Sequence, residues 1–219
     1  MNDSQILKMI DHTILAQNST SAQVERICAE AAMYGFASVC VPPCYVRTAA
    51  DALKRLGSAV PVCTVIGFPL GYNDSRAKMA ETTLAIEDGA TELDMVINVG
   101  KLLSGDTGYV LDEIQYIKNM AGKMIVKVII ETCLLDEQAK LTACDLVTRG
   151  GADFIKTSTG FSTGGATVED IQLLRANVGS NVRVKASGGI RTAEQARALV
   201  AAGADRLGMS AAVKAFNLE

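Results

Sequence analysis

One histidine and no tryptophan in 219 residues narrow the chemistry open to this chain. His12 alone excludes a three-histidine zinc site and leaves a Ser-His-Asp triad only one base to use. The net charge of −3 comes without any basic block, which argues against nucleic acid or an anionic membrane as the main partner. No apolar stretch approaches the ~18 residues of a membrane span. The opening Met-Asn-Asp-Ser-Gln lacks the basic flank and apolar run of a signal peptide, so a cytoplasmic location is expected. The six cysteines, at positions 28, 40, 44, 63, 133 and 144, have no paired spacing and read as small buried hydrophobes. Cys40 and Cys44 would need further ligands to hold a metal; none is evident, and no metal is expected. Gly-x-Gly-x-x-Gly follows no strand-like run, so the usual dinucleotide fingerprint is missing as well.

What the chain does have is apolar material (49%, against 21% charged) sufficient for a large core. Strand-like runs at 11–15, 38–41, 62–67, 93–98, 124–130, 154–157, 182–186 and 205–208 alternate with helix-like runs. The last of these helices is predicted over 210–218. Thr167 with Asp170, and Thr192 with Gln195, are spaced like capping boxes. Eight strand–helix units without a long linker predict an α/β fold, a single (β/α)8 TIM barrel over residues 1–219. A doubly wound open sheet is the alternative.

Three lysines interrupt runs that otherwise read as buried strands: Lys127 in Met-Ile-Val-Lys-Val-Ile-Ile, Lys156 in Asp-Phe-Ile-Lys-Thr-Ser-Thr-Gly, and Lys185 in Val-Arg-Val-Lys-Ala-Ser-Gly-Gly. They are evenly spaced, 29 residues apart. A buried ammonium costs several kcal/mol unless it is paired or its pKa falls. Asp94 adds a carboxylate on the preceding strand. Strands four to seven would then each deliver one ionisable group to the barrel's C-terminal end, where barrel active sites lie. A buried ion pair is the structural explanation for any one of them; four on adjacent strands favour chemistry. Imine formation suits the set, because a lysine attacks a carbonyl only as the free amine and a second ammonium nearby favours that form. Strand alternation puts Lys127 and Glu131 on one side, which suggests a paired, supporting Lys127 set deeper in the barrel. Spacing does not rank Lys156 above Lys185.

Glycine-rich segments follow strands six, seven and eight. Thr159, Gly160, Gly188, Gly189, Gly208 and Ser210 are the candidate phosphate and substrate contacts, with Ser210 at a helix start. Tight turns alone would also explain the glycines. His12 reads as structural, and Arg183 as lying at the outer end of its strand.

The segments Asp11-His12-Thr13, Glu92-Leu93-Asp94-Met95-Val96, Lys127-Val128-Ile129-Ile130-Glu131-Thr132, Lys156-Thr157-Ser158-Thr159-Gly160 and Lys185-Ala186-Ser187-Gly188-Gly189-Ile190-Arg191 together resemble the deoxyribose-phosphate aldolases, Schiff-base (class I) enzymes. The resemblance covers almost the whole chain. It implies a (β/α)8 barrel that reversibly cleaves 2-deoxy-D-ribose 5-phosphate to D-glyceraldehyde 3-phosphate and acetaldehyde, with no cofactor. It implies Lys156 as the Schiff-base lysine, Lys185 as the lysine that keeps it reactive, and Asp94 acting with water in proton transfer. Lys127, Asp11 and Thr13 are implied as supporting residues. Two departures stand out. Phe161 follows Thr-Ser-Thr-Gly where some members carry a basic residue, and the chain stops at Asn217-Leu218-Glu219 where some have a longer tail with a tyrosine. Phosphate affinity and the final proton step are therefore expected to rest more on backbone amides and water. A phosphosugar isomerase or epimerase, or a non-catalytic phosphosugar-binding barrel, are the competing functions. Oligomeric state is not legible, although exposed barrel helices often support a homodimer.

Overall fold

A computed structural model describes residues 1–218; Glu219, the end of the expected domain, lies outside them. Eight parallel strands close into one barrel in sequence order, so the open-sheet alternative falls. They are β1 (Ile10–Thr13), β2 (Ser38–Val41), β3 (Val62–Ile66), β4 (Glu92–Val96), β5 (Ile125–Ile129), β6 (Phe154–Lys156), β7 (Arg183–Ser187) and β8 (Arg206–Met209). Strands two, three, four and six are buried along their whole length, as expected of strands covered on both faces.

Alternation along each strand separates two interiors. Val39, Val41, Leu93, Met95, Val126, Val128, Ile155, Val184 and Leu207 join the apolar cluster shared with the helices. Their neighbours Cys40, Cys63, Asp94, Lys127, Phe154, Lys156 and Lys185 stand outside that cluster, on the lumen side. No helix among the described residues is long and apolar enough to cross a membrane.

The helices begin and end where side chains satisfy their free backbone groups. Thr20 and Gln23 form a full capping box ahead of Ser21–Tyr34, and Gly35 closes that helix in the left-handed conformation at φ 69. Thr192 and Gln195 do the same for Ala193–Ala201. At Val168–Asn177 only half the predicted box forms. Thr167 accepts from the Asp170 amide, but the Asp170 carboxylate is drawn away to Lys140 at 2.6 Å. The last helix is Ala212–Ala215 rather than 210–218, and it has no side-chain cap, so Ser210 lies outside it. Two five-residue helices, Asp3–Leu7 and Val99–Leu103, escaped the sequence reading because they are too short to show a helical period.

Candidate active site

Asp94, wholly buried on β4, is the hub of the lumen. Its Oδ2 accepts from the Nζ atoms of Lys156 and Lys185, each at 2.7 Å, and its Oδ1 accepts from Lys127 at 2.8 Å. Register explains how three lysines reach one carboxylate. Lys127 lies directly beside Asp94 on the neighbouring strand, and Lys156 directly beside Lys185. Lys156 is opposite Ile129, two residues beyond Lys127, so Lys127 sits one layer lower. That depth matches the expectation for Lys127, but its partners do not: it pairs with Asp94 and with Glu92 at 2.5 Å, not with Glu131. Glu131 falls past the strand end in a left-handed conformation that breaks the alternation, and its carboxylate turns to Thr159.

A second carboxylate, Asp11 on β1, pairs closely with Lys185, contacts Arg206 at 2.5 Å and accepts from Ser38 Oγ at 2.7 Å. Arg206 also reaches Glu92 at 3.3 Å. Four cations thus face three carboxylates in an enclosed space. Burial pushes the Asp94 carboxyl up, but Lys127, Lys156 and Lys185 outweigh it and hold the group well below the usual carboxylate range. Asp11 is lowered in the same way, burial being outweighed by Lys185, Lys127 and Arg206. Burial opposes the charge of Lys185, but Asp11 and Asp94 raise its pKa above that of an ordinary lysine. Lys127 is raised on the same grounds, with Asp94 foremost among the groups opposing its burial. Lys185 and Lys127 are therefore fixed ammonium groups.

Above this cluster opens a cavity of about 760 Å³. Of the three lysines only Lys156 lines it, at 3% exposure; Lys185, Lys127, Asp94 and Asp11 lie beneath. Thr13, on β1, lines the cavity and donates its hydroxyl to the Asp11 carbonyl. The predicted glycines Gly160, Gly188, Gly189 and Gly208 line it too, as does Ser210. Gly208 is required there: a Cβ would stand 2.9 Å from Ser187 Cβ and 3.4 Å from Lys185 Cε. Gly188 adopts φ +85, and its Cβ would approach Gly165 Cα to 3.1 Å. Among the described residues the amides of Gly160, Gly188, Gly189 and Ser210 have no backbone partner, which leaves them free for an anion.

Thr159, a predicted phosphate or substrate contact, lines the cavity and gives both of its donors to Glu131. Sequence reasoning also passed over Arg191, a cation on the cavity wall directly after Ser-Gly-Gly-Ile, and the lumen partners Glu92, Arg206 and Cys63. Phe161 forms an apolar part of the wall and stacks edge-on against Phe68 at 5.2 Å. His12 lies off the site, bonded to Glu30 at 2.5 Å and packed on Phe36. Arg183 is at the strand's outer end, its guanidinium 4.0 Å above the Phe154 ring.

Cys40, Cys63 and Asp94 present donor atoms within 4.8 Å of one another, as do Asp11, Cys63 and Glu92. Lys127 sits among them, 3.4 Å from the Cys63 sulfur and 2.8 Å from Asp94, so a resident ammonium already occupies the place a metal cation would take. Cys44, the other thiol considered, is exposed and apart from the lumen.

The profile of the DeoC/LacD family aldolases matches residues 5–217. A deoxyribose-phosphate aldolase of Geobacillus sp. (strain WCH70) is 55% identical over 212 residues, 96% of this chain and 94% of that protein. One from Bacillus cereus (strain B4264) is 58% identical over 209 residues, covering 95% and 93%. Among solved structures, the tetrameric deoxyribose phosphate aldolase from Aeropyrum pernix superposes with a TM-score of 0.91 at 36% identity, over 98% of this chain and 90% of that one. With its lysine-lined barrel and a match from end to end, the chain belongs to the DeoC/LacD family of aldolases.

Proposed function

We propose that this enzyme reversibly cleaves 2-deoxy-D-ribose 5-phosphate into D-glyceraldehyde 3-phosphate and acetaldehyde through an imine on Lys156. One observation supports the assignment above all: Lys156 shares the Asp94 carboxylate with the fixed ammonium of Lys185, yet alone among the three lysines it lines the cavity. Three carboxylates balance three of the four lumen cations, so a neutral Lys156 amine leaves the cluster without net charge.

In the cleavage direction that amine adds to C1 of the open-chain sugar, and loss of water leaves an iminium. The iminium draws electrons from the C2–C3 bond. As the C3 hydroxyl gives up its proton, that bond breaks, its electron pair becomes the enamine double bond, and glyceraldehyde 3-phosphate departs. Protonation of the enamine carbon and hydrolysis return acetaldehyde and the free amine. The lysine itself is the electron sink, so the step needs neither metal nor organic cofactor. Asp94 moves protons with water, while Lys127 and Asp11 hold Asp94 and Lys185 in place. The free amides of Gly160, Gly188, Gly189 and Ser210, with the Arg191 guanidinium, receive the phosphate. A charged phosphosugar does not cross a bilayer unaided, so a cytoplasmic location accompanies this reading.

Borohydride reduction in the presence of acetaldehyde, followed by peptide mass mapping, tests the nucleophile. A two-carbon adduct on Lys156 is expected, and Lys156→Ala folds but turns over no substrate. An adduct on Lys185 or Lys127 would reassign the roles. No adduct on folded protein would favour an acid–base isomerase or a phosphosugar-binding barrel.

A further inference from the structure

Glu131 carries two unfavourable features at once. It is 4% exposed, and its backbone is left-handed at φ 55, ψ 66. A side-chain-bearing residue is unfavourable in that region, and a buried carboxylate is costly unless it is well bonded. Among the described residues its side-chain hydrogen bonds go to Thr159 alone: to the hydroxyl at 2.5 Å and to the amide at 3.2 Å. The Thr159 hydroxyl in turn accepts from the Phe161 amide at 3.0 Å. A threonine hydroxyl has a single proton, and here it is committed to the carboxylate. Thr159 is therefore a strut at the cavity wall, with no donor left for a ligand. The residues it braces, Gly160 and Phe161, line the cavity, and the Gly160 amide between the two fixed points is free.

We propose that Glu131 is a positioning residue for the substrate's phosphate. By taking both donors of Thr159 it fixes the Thr159-Gly160-Phe161 turn so that the Gly160 amide stands ready for the anion. The proposal rests on the aldolase reading above and adds a residue for which the sequence suggested only a pairing with Lys127. Strain and ligand geometry are coupled here: the left-handed turn at Glu131 carries the carboxylate away from the lumen lysines and across to the next strand's loop.

Glu131→Gly separates the two effects, because glycine accepts the left-handed backbone while the carboxylate is lost. Its Tm stays within about 4 °C of wild type. Acetaldehyde, which has no phosphate, is still trapped on Lys156 by borohydride at the wild-type rate. KM for 2-deoxyribose 5-phosphate rises about tenfold while kcat holds within about twofold, the size expected for one displaced hydrogen-bond donor. With 2-deoxyribose lacking the phosphate, kcat/KM is unchanged. Glu131→Gln, which keeps one acceptor oxygen, lies between the two. Thr159→Val leaves Glu131 and its backbone intact, removes the strut's hydroxyl and raises the same KM, which keeps the test available if the glycine variant does not fold. An unchanged KM for the phosphorylated sugar overturns the proposal. So does a parallel loss of Tm, trapping and kcat, which would mark Glu131 as structural only. If wild type itself traps no acetaldehyde, the aldolase reading fails, whereas trapping with an unmoved KM removes only the role of Glu131.

Discussion

Leu93 and Asp94 stand side by side on β4, both wholly buried, and face different interiors. Leu93 joins an apolar layer that runs between the strands and their helices. Asp94 faces a lumen in which Lys127, Lys156, Lys185 and Arg206 crowd around three carboxylates. The outer layer stabilises the fold at roughly 25 cal/mol for each Å² of apolar surface removed from water. The inner one brings little net stability, because the desolvation of its ions offsets their attraction. A third buried site sharpens the contrast. Lys78 and Glu113, both on helices outside the lumen, pair at 2.6 Å, and they also bind the Val96 carbonyl and the Asn98 amide at the end of β4. There the charges match one to one, and neither residue lines the cavity above the lumen. A buried lysine marks chemistry only where charge is left over and a ligand can reach it.

The largest expected effect lies in the lumen. Lys185→Leu removes the fixed ammonium beside Lys156, so kcat/KM at neutral pH falls about 100-fold and recovers as pH is raised. A pH–rate profile checks it; an equal loss at every pH would mean that Lys185 acts only as packing. Next comes the outer layer. Leu174→Ala, fully buried on Val168–Asn177, should cost about 2–5 kcal/mol in urea unfolding while leaving kcat/KM within about twofold of wild type. A matching loss of activity would mean that the two interiors are not independent.

The smallest effect is in pH and stability. Asp94 and Asp11 have lowered pKa values, so their contribution is present above the ordinary carboxylate pKa near 4 and is lost as pH falls through the folded values. Lys185 and Lys127 are raised, so theirs is present below the ordinary lysine pKa near 10.4 and is lost as pH climbs through the folded values. Between those limits these four groups contribute a flat plateau to unfolding free energy. Curvature near neutrality would show that one of these groups titrates there.

The barrel was legible because its signals are local: apolar runs of strand length, caps such as Thr192 with Gln195, and helix ends at glycine. The trio of Lys156, Lys185 and Asp94 was legible because charge in a buried strand is rare. Rank among the lysines was not. Their equal spacing conceals a register step of two residues between β5 and β6 and none between β6 and β7, and only the closed sheet reveals it. Glu131 was misjudged because alternation was extended past the strand end into a left-handed turn. Lys78 went unnoticed because it lies in a helix, where a lysine gives no hint of burial. Glu92 and Arg206 were passed over because they are the first residues of their strands, where a charged side chain is no anomaly.

The position of Lys156 also sets the traffic through the enzyme. The cavity's lining comes from the loops and strand ends above the lumen, and beneath lie packed ions and the stacked Phe154 ring. The cavity beside Lys156 is therefore reached from the loop side of the barrel. On the proposed reaction the substrate, both products and the water that hydrolyses the imine would use that side. On the proposed reaction the phosphate rests on the loop glycines and the two-carbon fragment stays tethered to Lys156, so glyceraldehyde 3-phosphate is expected to depart first. Product-inhibition kinetics would read that order directly.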